Sequence, residues 1–407
     1  MEGINPNIFR AYDIRGLWGK DFDAAFAQRL ASKVVAYWPD GPIIIGRDSR
    51  ASSDELAYAL IDGALHVGTR VIDIGHVSTP QLAWAIREYK AAGGLMATAS
   101  HNPGEYNGIK VIARQGEGLE LIGGHHLRQI YDSHGHSHHR DGTVQVQDII
   151  PAYARVVAST ANWHGQELTA SIDAPLPVRR ALELITPIAP DDGFAAKFDA
   201  DGDRVTFFQD GLLFAAEWIF LLLADNLVLK PLVFDLRFSR AVREYLIARN
   251  IPFHESAVGR LAMTENMRAT GAVFGAETSG HYYWQSFANM ESPELTLLNV
   301  ARIINQKHQS LDELTRLYAR YVKSDEISLP IKDRKASINA LEHVATKYQT
   351  ANIKRIDGIM VDLWDSEGWW FNLRLSNTEP VLRLVVEAKT KDLLDERAKE
   401  VQEFLRG

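Results

Sequence analysis

Residues 43–75 read IIIGRDSRASSDELAYALIDGALHVGTRVIDIG, and this succession of apolar run, polar turn, helical stripe and second apolar run decides the fold class. Ile43, Ile44 and Ile45 read as a strand, followed by the polar loop GRDSR. Leu56, Leu60, Ala64 and Leu65 then recur on one side of a helix, and Ser52 with Glu55 has the spacing of a capping box at its start. Gly68 stops the helix, and VIDIG is the next strand. The same order returns at Leu232, with LVFD, LRFS, RAVREYLIARN and PFHES. A shorter version begins at Leu168, where LTASIDA precedes the Pro-opened helix PLPVRRALELI. Three related strand, loop and helix units predict three α/β domains in series.

The C-terminal portion reads differently. GWWFNLRL and VLRLVVEA flank a polar loop, and Leu394, Ala398, Val401 and Leu405 line one side of the final helix, the pattern of an α+β domain. Boundaries fall in the His-rich stretch at 132–142, at 215–217 and in the charged region 323–326. The expected domains are therefore 1–142, 143–216, 217–322 and 323–407.

The 407 residues carry 44 Lys+Arg against 52 Asp+Glu, a net charge of −8, 46% hydrophobic residues and no cysteine. This is a globular composition, and a single core rarely grows past ~300 residues, in keeping with several domains. Thiol nucleophiles, thiolate metal sites and disulfides are excluded. An acidic balance without a Lys/Arg run argues against nucleic acid as a partner, so an anionic substrate needs locally placed cations. The N-terminus has no basic stretch followed by an apolar core, which predicts a cytoplasmic protein. The longest apolar run, residues 218–224, is far short of the ~20 residues of a membrane helix and reads as a buried helix face.

Four loops carry candidate chemistry. The small-residue strand GGLMATA runs into Ser100-His101-Asn102-Pro103, placing Ser100 at a strand's carboxyl end, where α/β sheets bind ligands; Lys110 follows. Asp199, Asp201 and Asp203 alternate around Gly202, and three hard oxygen donors suit Mg²⁺. An EF-hand loop would share the first three positions but fails at Arg204, where glycine is required, and at Asp210, where glutamate is. In GAETSGH, Glu277, Ser279 and His281 suit the reading of sugar hydroxyls or a proton relay. In RLSNTEP, Arg374, Ser376, Asn377 and Thr378 offer what a phosphate dianion needs. Six of the 14 histidines cluster at His125, His126, His134, His136, His138 and His139; set among Ser, Gly and Asp at a domain boundary, they read as a solvated linker.

These loops, in this order and over nearly the whole chain, resemble the α-D-phosphohexomutase superfamily, its bacterial phosphomannomutase/phosphoglucomutase branch most closely. FRAYDIRG looks like the family's N-terminal active-site segment, TASHNP its phosphoserine loop, DADGDR its metal loop, GAETSGH its sugar loop and RLSNTEP its phosphate loop. The resemblance implies four domains around a central cleft, with closure of the last over the substrate. It implies interconversion of hexose 6-phosphate and hexose 1-phosphate, of mannose or glucose, through a hexose 1,6-bisphosphate that also serves as activator. Ser100 would be the phosphoserine and, with Asp199, Asp201 and Asp203, a ligand of Mg²⁺. Arg15, His101, Lys110 and His281 would be the acid/base and electrostatic groups. Tyr12, Arg204, Arg260, Glu277, Ser279, Arg374, Ser376, Asn377 and Thr378 would bind substrate, in a monomer or dimer.

Two departures from the family pattern stand out. Asp173 passes directly into Ala174-Pro175 where the family has a glycine-rich loop and a longer domain, and Ala257-Val258-Gly259-Arg260 replaces a segment that often carries a Lys and a His. The first trims domain 143–216; the second bears on sugar preference. Rival readings are a mutase for another sugar such as glucosamine phosphate, a metal-dependent sugar phosphatase, and an inert sugar-phosphate binding protein.

Overall fold

The strand Ile43–Arg47, buried at every position, is the hub of a mixed sheet. In the computed structural model, which describes residues 5–38, 41–116, 118–133, 141–191, 193–331, 334–376 and 381–406, the strand order is Ile14–Leu17, Tyr106–Gln115, Gly93–Ala97, Ile43–Arg47, Arg70–His76, Thr143–Val146, with Gly118–Leu121 paired to Tyr106–Gln115. Ile43–Arg47 is parallel to both neighbours, with Arg47 opposite Ala97. The chain leaves Ile43–Arg47 toward one edge of the sheet and leaves Gly93–Ala97 toward the other. The carboxyl ends of these two strands therefore flank a topological switch point, where open α/β sheets bind ligands.

Helices Ala24–Tyr37 and Ser53–Leu65 bury Phe26, Leu30, Leu56 and Leu60 with Ile43, Ile45, Leu95 and Val111 in one core. Each such side chain contributes roughly 1.5 to 3 kcal/mol by leaving water. The expected capping box does not form. Ser52 has helical backbone angles and its side chain caps nothing; its Oγ accepts from Asn107 Nδ2 at 2.8 Å, while Glu55 Oε2 accepts from Trp18 Nε1 at 3.1 Å. Tertiary partners thus outcompete the local cap.

LTASIDA, read as one strand, is two. Leu168–Thr169 pairs with Ile188–Ala189, whereas Ser171–Asp173 pairs with Phe194–Phe198 in a four-stranded sheet completed by Val205–Gln209 and Leu212–Phe214. Helix Pro293–Lys307 belongs to this same compact unit, Met1–Phe214 with Ser279–His308.

The second unit comprises Ala215–Thr278 and Gln309–Gly407. Its strand Leu232–Asp235 lies between Phe253–Ser256 and Phe274–Ala276, all parallel, repeating the first unit's switch-point arrangement. The apolar run is the buried face of helix Ala216–Asn226. The C-terminal sheet is antiparallel, and Trp369–Leu375 serves two cores by alternation: Trp369 and Phe371 pack with Leu384, Val386 and Leu394, while Trp370 packs with Leu236, Met360 and Trp364. Among the described residues, no helix is long and apolar enough to cross a membrane.

Candidate active site

Ser100 lies just past the end of Gly93–Ala97, at the switch point, with a left-handed φ of 51°. Its N–H donates to Thr98 Oγ1 at 2.9 Å. Its Oγ lies 3.4 Å from His101 Nδ1 and donates to Asp199 Oδ2 at 3.5 Å. Burial, then the charges of Arg204 and Arg15, hold the His101 imidazole below its ordinary pKa and favour the neutral ring. Arg15 donates to Asn102 Oδ1 at 2.8 Å and to Ala99 O, and is paired with Asp13 at 2.8 Å. Burial opposes the charge on Arg15, but Asp13 outweighs it and keeps the guanidinium protonated. Tyr12 is half-buried beside Asp13.

The three aspartates form a compact cup, with ligand atoms all within 4.8 Å of one another. Gly202 turns the loop at φ +66°, where a Cβ would meet Val178 Cγ2 at 2.7 Å and Ser78 Cβ at 2.9 Å, so glycine is required twice over. Asp199 Oδ1 accepts from the backbone N–H groups of Asp203 and Arg204. Asp201 Oδ2 accepts from Thr79 Oγ1 at 2.8 Å, and Lys110 Nζ bridges Asp201 Oδ2 at 2.5 Å and Asp203 Oδ2 at 2.7 Å. Burial and the charges of Asp203 and Asp201 push the Asp199 carboxyl well above the usual range. Burial and Asp203 push Asp201 the same way, but Lys110 draws it below.

These residues fit a divalent cation. Lys110 offsets only part of the charge, and the buried Oδ1 of Asp201 has no hydrogen-bond partner, which leaves a hard oxygen free to take a cation.

His281 joins this group, its Nε2 accepting from Arg204 Nε at 3.3 Å and lying 3.4 Å from Asp203 Oδ1; its Nδ1 is 2.7 Å from Ser279 Oγ. The first unit thus brings together Arg15, Ser100, His101, Lys110, Asp199, Asp201, Asp203, Arg204, Ser279 and His281.

In the second unit, Glu277 is buried at the end of Phe274–Ala276 and accepts from the N–H of Gly259 at 2.6 Å, beside the buried Arg260 that opens helix Arg260–Thr270. The next residue, Thr278, donates its N–H to Asp235 Oδ2, and Asp235 holds Arg237 in a bidentate pair. Burial would raise the Asp235 carboxyl, but Arg237 holds it below the usual range. Arg237 and Arg374 both donate to Glu326 Oε2 at 3.0 Å. Ser376 donates its N–H to Val381 O; Asn377 and Thr378 lie outside the described residues.

The sequence reading passed over Asp48, Arg50 and Thr79. Asp48 and Arg50 lie in GRDSR, read only as a polar loop, yet both reach the Ser100 loop. Their signal was available: the loop follows a strand as TASHNP does, and charged side chains at the carboxyl ends of neighbouring strands converge. Thr79, 122 residues from Asp201, gave none.

Family models described as phosphoglucomutase/phosphomannomutase alpha/beta/alpha domain I, alpha/beta/alpha domain III and C-terminal domain match residues 6–135, 205–321 and 326–404. The phosphohexose mutases of Xanthomonas campestris pv. campestris (strain ATCC 33913) are 31% identical over an alignment of 452 positions, gaps included, covering 98% of this chain and 99% of theirs. The phosphomannomutase of Salmonella montevideo is 29% identical, with 98% and 99% covered. In fold, the chain is similar to a phosphoglucomutase/phosphomannomutase family protein from Burkholderia thailandensis, with a TM-score of 0.84 at 23% identity over 99% of this chain and 98% of that one. With its five loops, its mixed α/β architecture and relatives that match it end to end, the chain belongs to the α-D-phosphohexomutase superfamily and is a hexose phosphate mutase, an intramolecular phosphotransferase.

Proposed function

We propose that Ser100 is carried as a phosphoserine in the resting enzyme, and that the chain interconverts the 6- and 1-phosphates of mannose, glucose or both through a hexose 1,6-bisphosphate. The observation that carries this reading is the placement of Ser100 Oγ at 3.5 Å from Asp199 Oδ2, beside an acidic cup with a further oxygen lacking a partner. A phosphoryl group on that hydroxyl suits such a surrounding only if cations neutralise it. Asp199, Asp201 and Asp203, with one phosphoryl oxygen, would hold Mg²⁺, which when bound supplies neutralising charge to the transferring group.

In the first half-reaction the free hydroxyl of the sugar phosphate attacks the phosphorus in line. The new bond to the sugar oxygen forms as the bond to Ser100 Oγ breaks. The sugar hydroxyl gives its proton to a neighbouring base, and Oγ regains one as the serine hydroxyl. The bisphosphate then turns end over end, and the reverse step returns its other phosphate to Ser100. Neutral His101, 3.4 Å from Oγ, suits the proton transfer, with His281 as the second imidazole of the group. Arg15, Lys110 and Arg204 supply positive charge around the transferring oxygens, with Tyr12 at the segment's edge.

Elsewhere, Arg374, Ser376, Asn377 and Thr378 would hold the phosphate that is not reacting, in either orientation of the sugar. Glu277 and Ser279 would read ring hydroxyls, and Arg260 would stand in for one cation of the Lys and His that this segment often carries in the family.

The test is turnover of mannose 1-phosphate and glucose 1-phosphate with Mg²⁺ and a trace of glucose 1,6-bisphosphate, in the wild type and in Ser100→Ala. Hexose 6-phosphate should form with the wild type only. Undiminished turnover by the variant refutes the phosphoserine, and release of free phosphate without isomer would make the protein a phosphatase.

A further inference from the structure

We propose that Arg50, fixed by Asp48, is a positioning residue for phosphoryl transfer: it holds the loop that carries Ser100 so that Oγ is presented to the acidic cup. The inference rests on the phosphoserine reading above.

The geometry is a complete accounting of one guanidinium. Arg50 Nη2 donates to Ser100 O and Asn102 O, Nη1 to Pro103 O and Tyr106 O, and Nε to Asp48 Oδ2. A guanidinium has five N–H bonds in a fixed plane, and all five have acceptors here, four of them main-chain carbonyls of the Ser100 loop. The Arg50 side chain is only 9% exposed and that of Asp48 2%. Asp48 anchors both sides of the arrangement. Its Oδ1 accepts from the Arg50 N–H and from Ser53 Oγ, and its Oδ2 accepts from Thr98 Oγ1 at 2.6 Å, the same hydroxyl that receives the Ser100 N–H. The loop is therefore tied at its entrance through Thr98 and along its length through Arg50.

The tie has something to oppose. Ser100 adopts φ 51°, a left-handed conformation that a residue with a Cβ leaves unless its surroundings over-determine it. Moreover, because the peptide is planar and trans, a Ser100 carbonyl drawn to Arg50 turns the His101 N–H to the opposite side. All five N–H groups of Arg50 are taken by acceptors other than Oγ, so its action runs through the backbone.

The aspartate half of the device recurs in the second unit. Asp235 ends the central strand there with Arg237 two residues on, as Asp48 directly follows Ile43–Arg47 with Arg50 two residues on. Asp235 Oδ1 accepts from the Arg237 N–H and Nε, and Oδ2 accepts from Thr278 in the loop after the third strand. In both units an aspartate beside the switch point, paired with an arginine two residues on, holds the loop after the neighbouring strand; Arg237 turns its further donor to Glu326, whereas Arg50 takes the loop's carbonyls. Lysine cannot replace this arginine, since an ammonium has three divergent donors rather than a planar fork.

The experiment compares Arg50→Ala and Arg50→Lys with the wild type in the full-length protein, loaded with Mg²⁺ and glucose 1,6-bisphosphate. A displacement of about 1 Å at the reacting group lowers turnover about 10²-fold, so kcat should fall by about that factor in both variants. KM for the hexose 1-phosphate should stay within about threefold, because uniform binding is untouched. Incorporation of phosphate into Ser100 should slow in parallel with kcat. Guanidinium ion at millimolar concentration should restore part of the turnover of Arg50→Ala and none of that of Ser100→Ala. Wild-type kcat in a folded variant overturns the proposal, as does a loss confined to KM. If Arg50→Ala does not fold, Arg50→Lys and Asp48→Asn are read by the same criteria. Full turnover by Ser100→Ala sinks the parent reading, whereas a Ser100-dependent enzyme indifferent to Arg50 sinks only the positioning role.

Discussion

Replacing Glu294 by glutamine should make the protein's stability less sensitive to pH. Glu294, in helix Pro293–Lys307, is fully buried; its Oε2 accepts from Tyr153 Oη at 2.9 Å and its Oε1 from Gln81 Nε2 at 3.4 Å. Burial dominates those two hydrogen bonds and raises the carboxyl from 4.5 to about 7. Below pH 4.5 the group is protonated in both folded and unfolded chains and contributes nothing to the pH dependence. Between 4.5 and about 7 the unfolded chain releases its proton while the folded one keeps it, so the unfolded state binds fewer protons and stability falls as pH rises. Above about 7 the loss is complete. The interval of about 2.5 pH units, at about 1.36 kcal/mol per unit, gives roughly 3 kcal/mol. A glutamine keeps one oxygen to accept from Gln81, turns an N–H donor to the Tyr153 hydroxyl oxygen, and cannot titrate. Urea unfolding of wild type and Glu294→Gln at pH 5, 6, 7 and 8 should therefore show the variant gaining about 2.5 kcal/mol on the wild type across that series, which begins inside the window. Parallel pH profiles for the two proteins would refute the reasoning, since they would mean that Glu294 ionises freely in the folded state.

Two further outcomes follow from the acidic cup. Lys110→Met leaves Asp201 and Asp203 buried without their shared cation and should cost about 3 to 5 kcal/mol without metal; Mg²⁺ at a hundred times its Kd would return about 2.7 kcal/mol. Urea unfolding in EDTA checks the first figure and the same measurement with Mg²⁺ the second; a variant as stable as the wild type in EDTA would contradict the reasoning. Gly202→Ala forces a Cβ into Val178 and Ser78 at a left-handed backbone position and should destabilise by about 1 to 3 kcal/mol while weakening metal binding; an isothermal titration giving the wild-type Mg²⁺ affinity would show that the loop's turn is not what shapes the cup.

The chemistry-bearing loops were legible because each is a contiguous run whose residue types are fixed by what they must do. Three carboxylates cannot be crowded around Gly202 for packing, and Ser100 at a strand end follows from the small-residue strand before it. The α/β class was legible for a similar reason: the periods of apolar residues in 43–75 and 232–256 are local properties of strand and helix. Local signals failed where a distant partner offered more. Ser52 and Glu55 have the spacing of a cap, yet Asn107 and Trp18 take their side chains, and LTASIDA splits at Ala170 because its two ends pair with different strands.

Sequence by itself determined which groups the enzyme owns and in which loops they ride, since those depend on residue type and short-range order. Only the tertiary structure decided which groups meet. Lys110 finds Asp201 and Asp203 across 91 and 93 residues, Thr79 finds Asp201 across 122, Glu326 links Arg237 to Arg374, and Arg50 closes on four carbonyls 50 to 56 residues away. Hydrogen bonds and ion pairs act over a few ångströms, and separations along the chain carry no trace of them until strand order at a switch point brings the loops together.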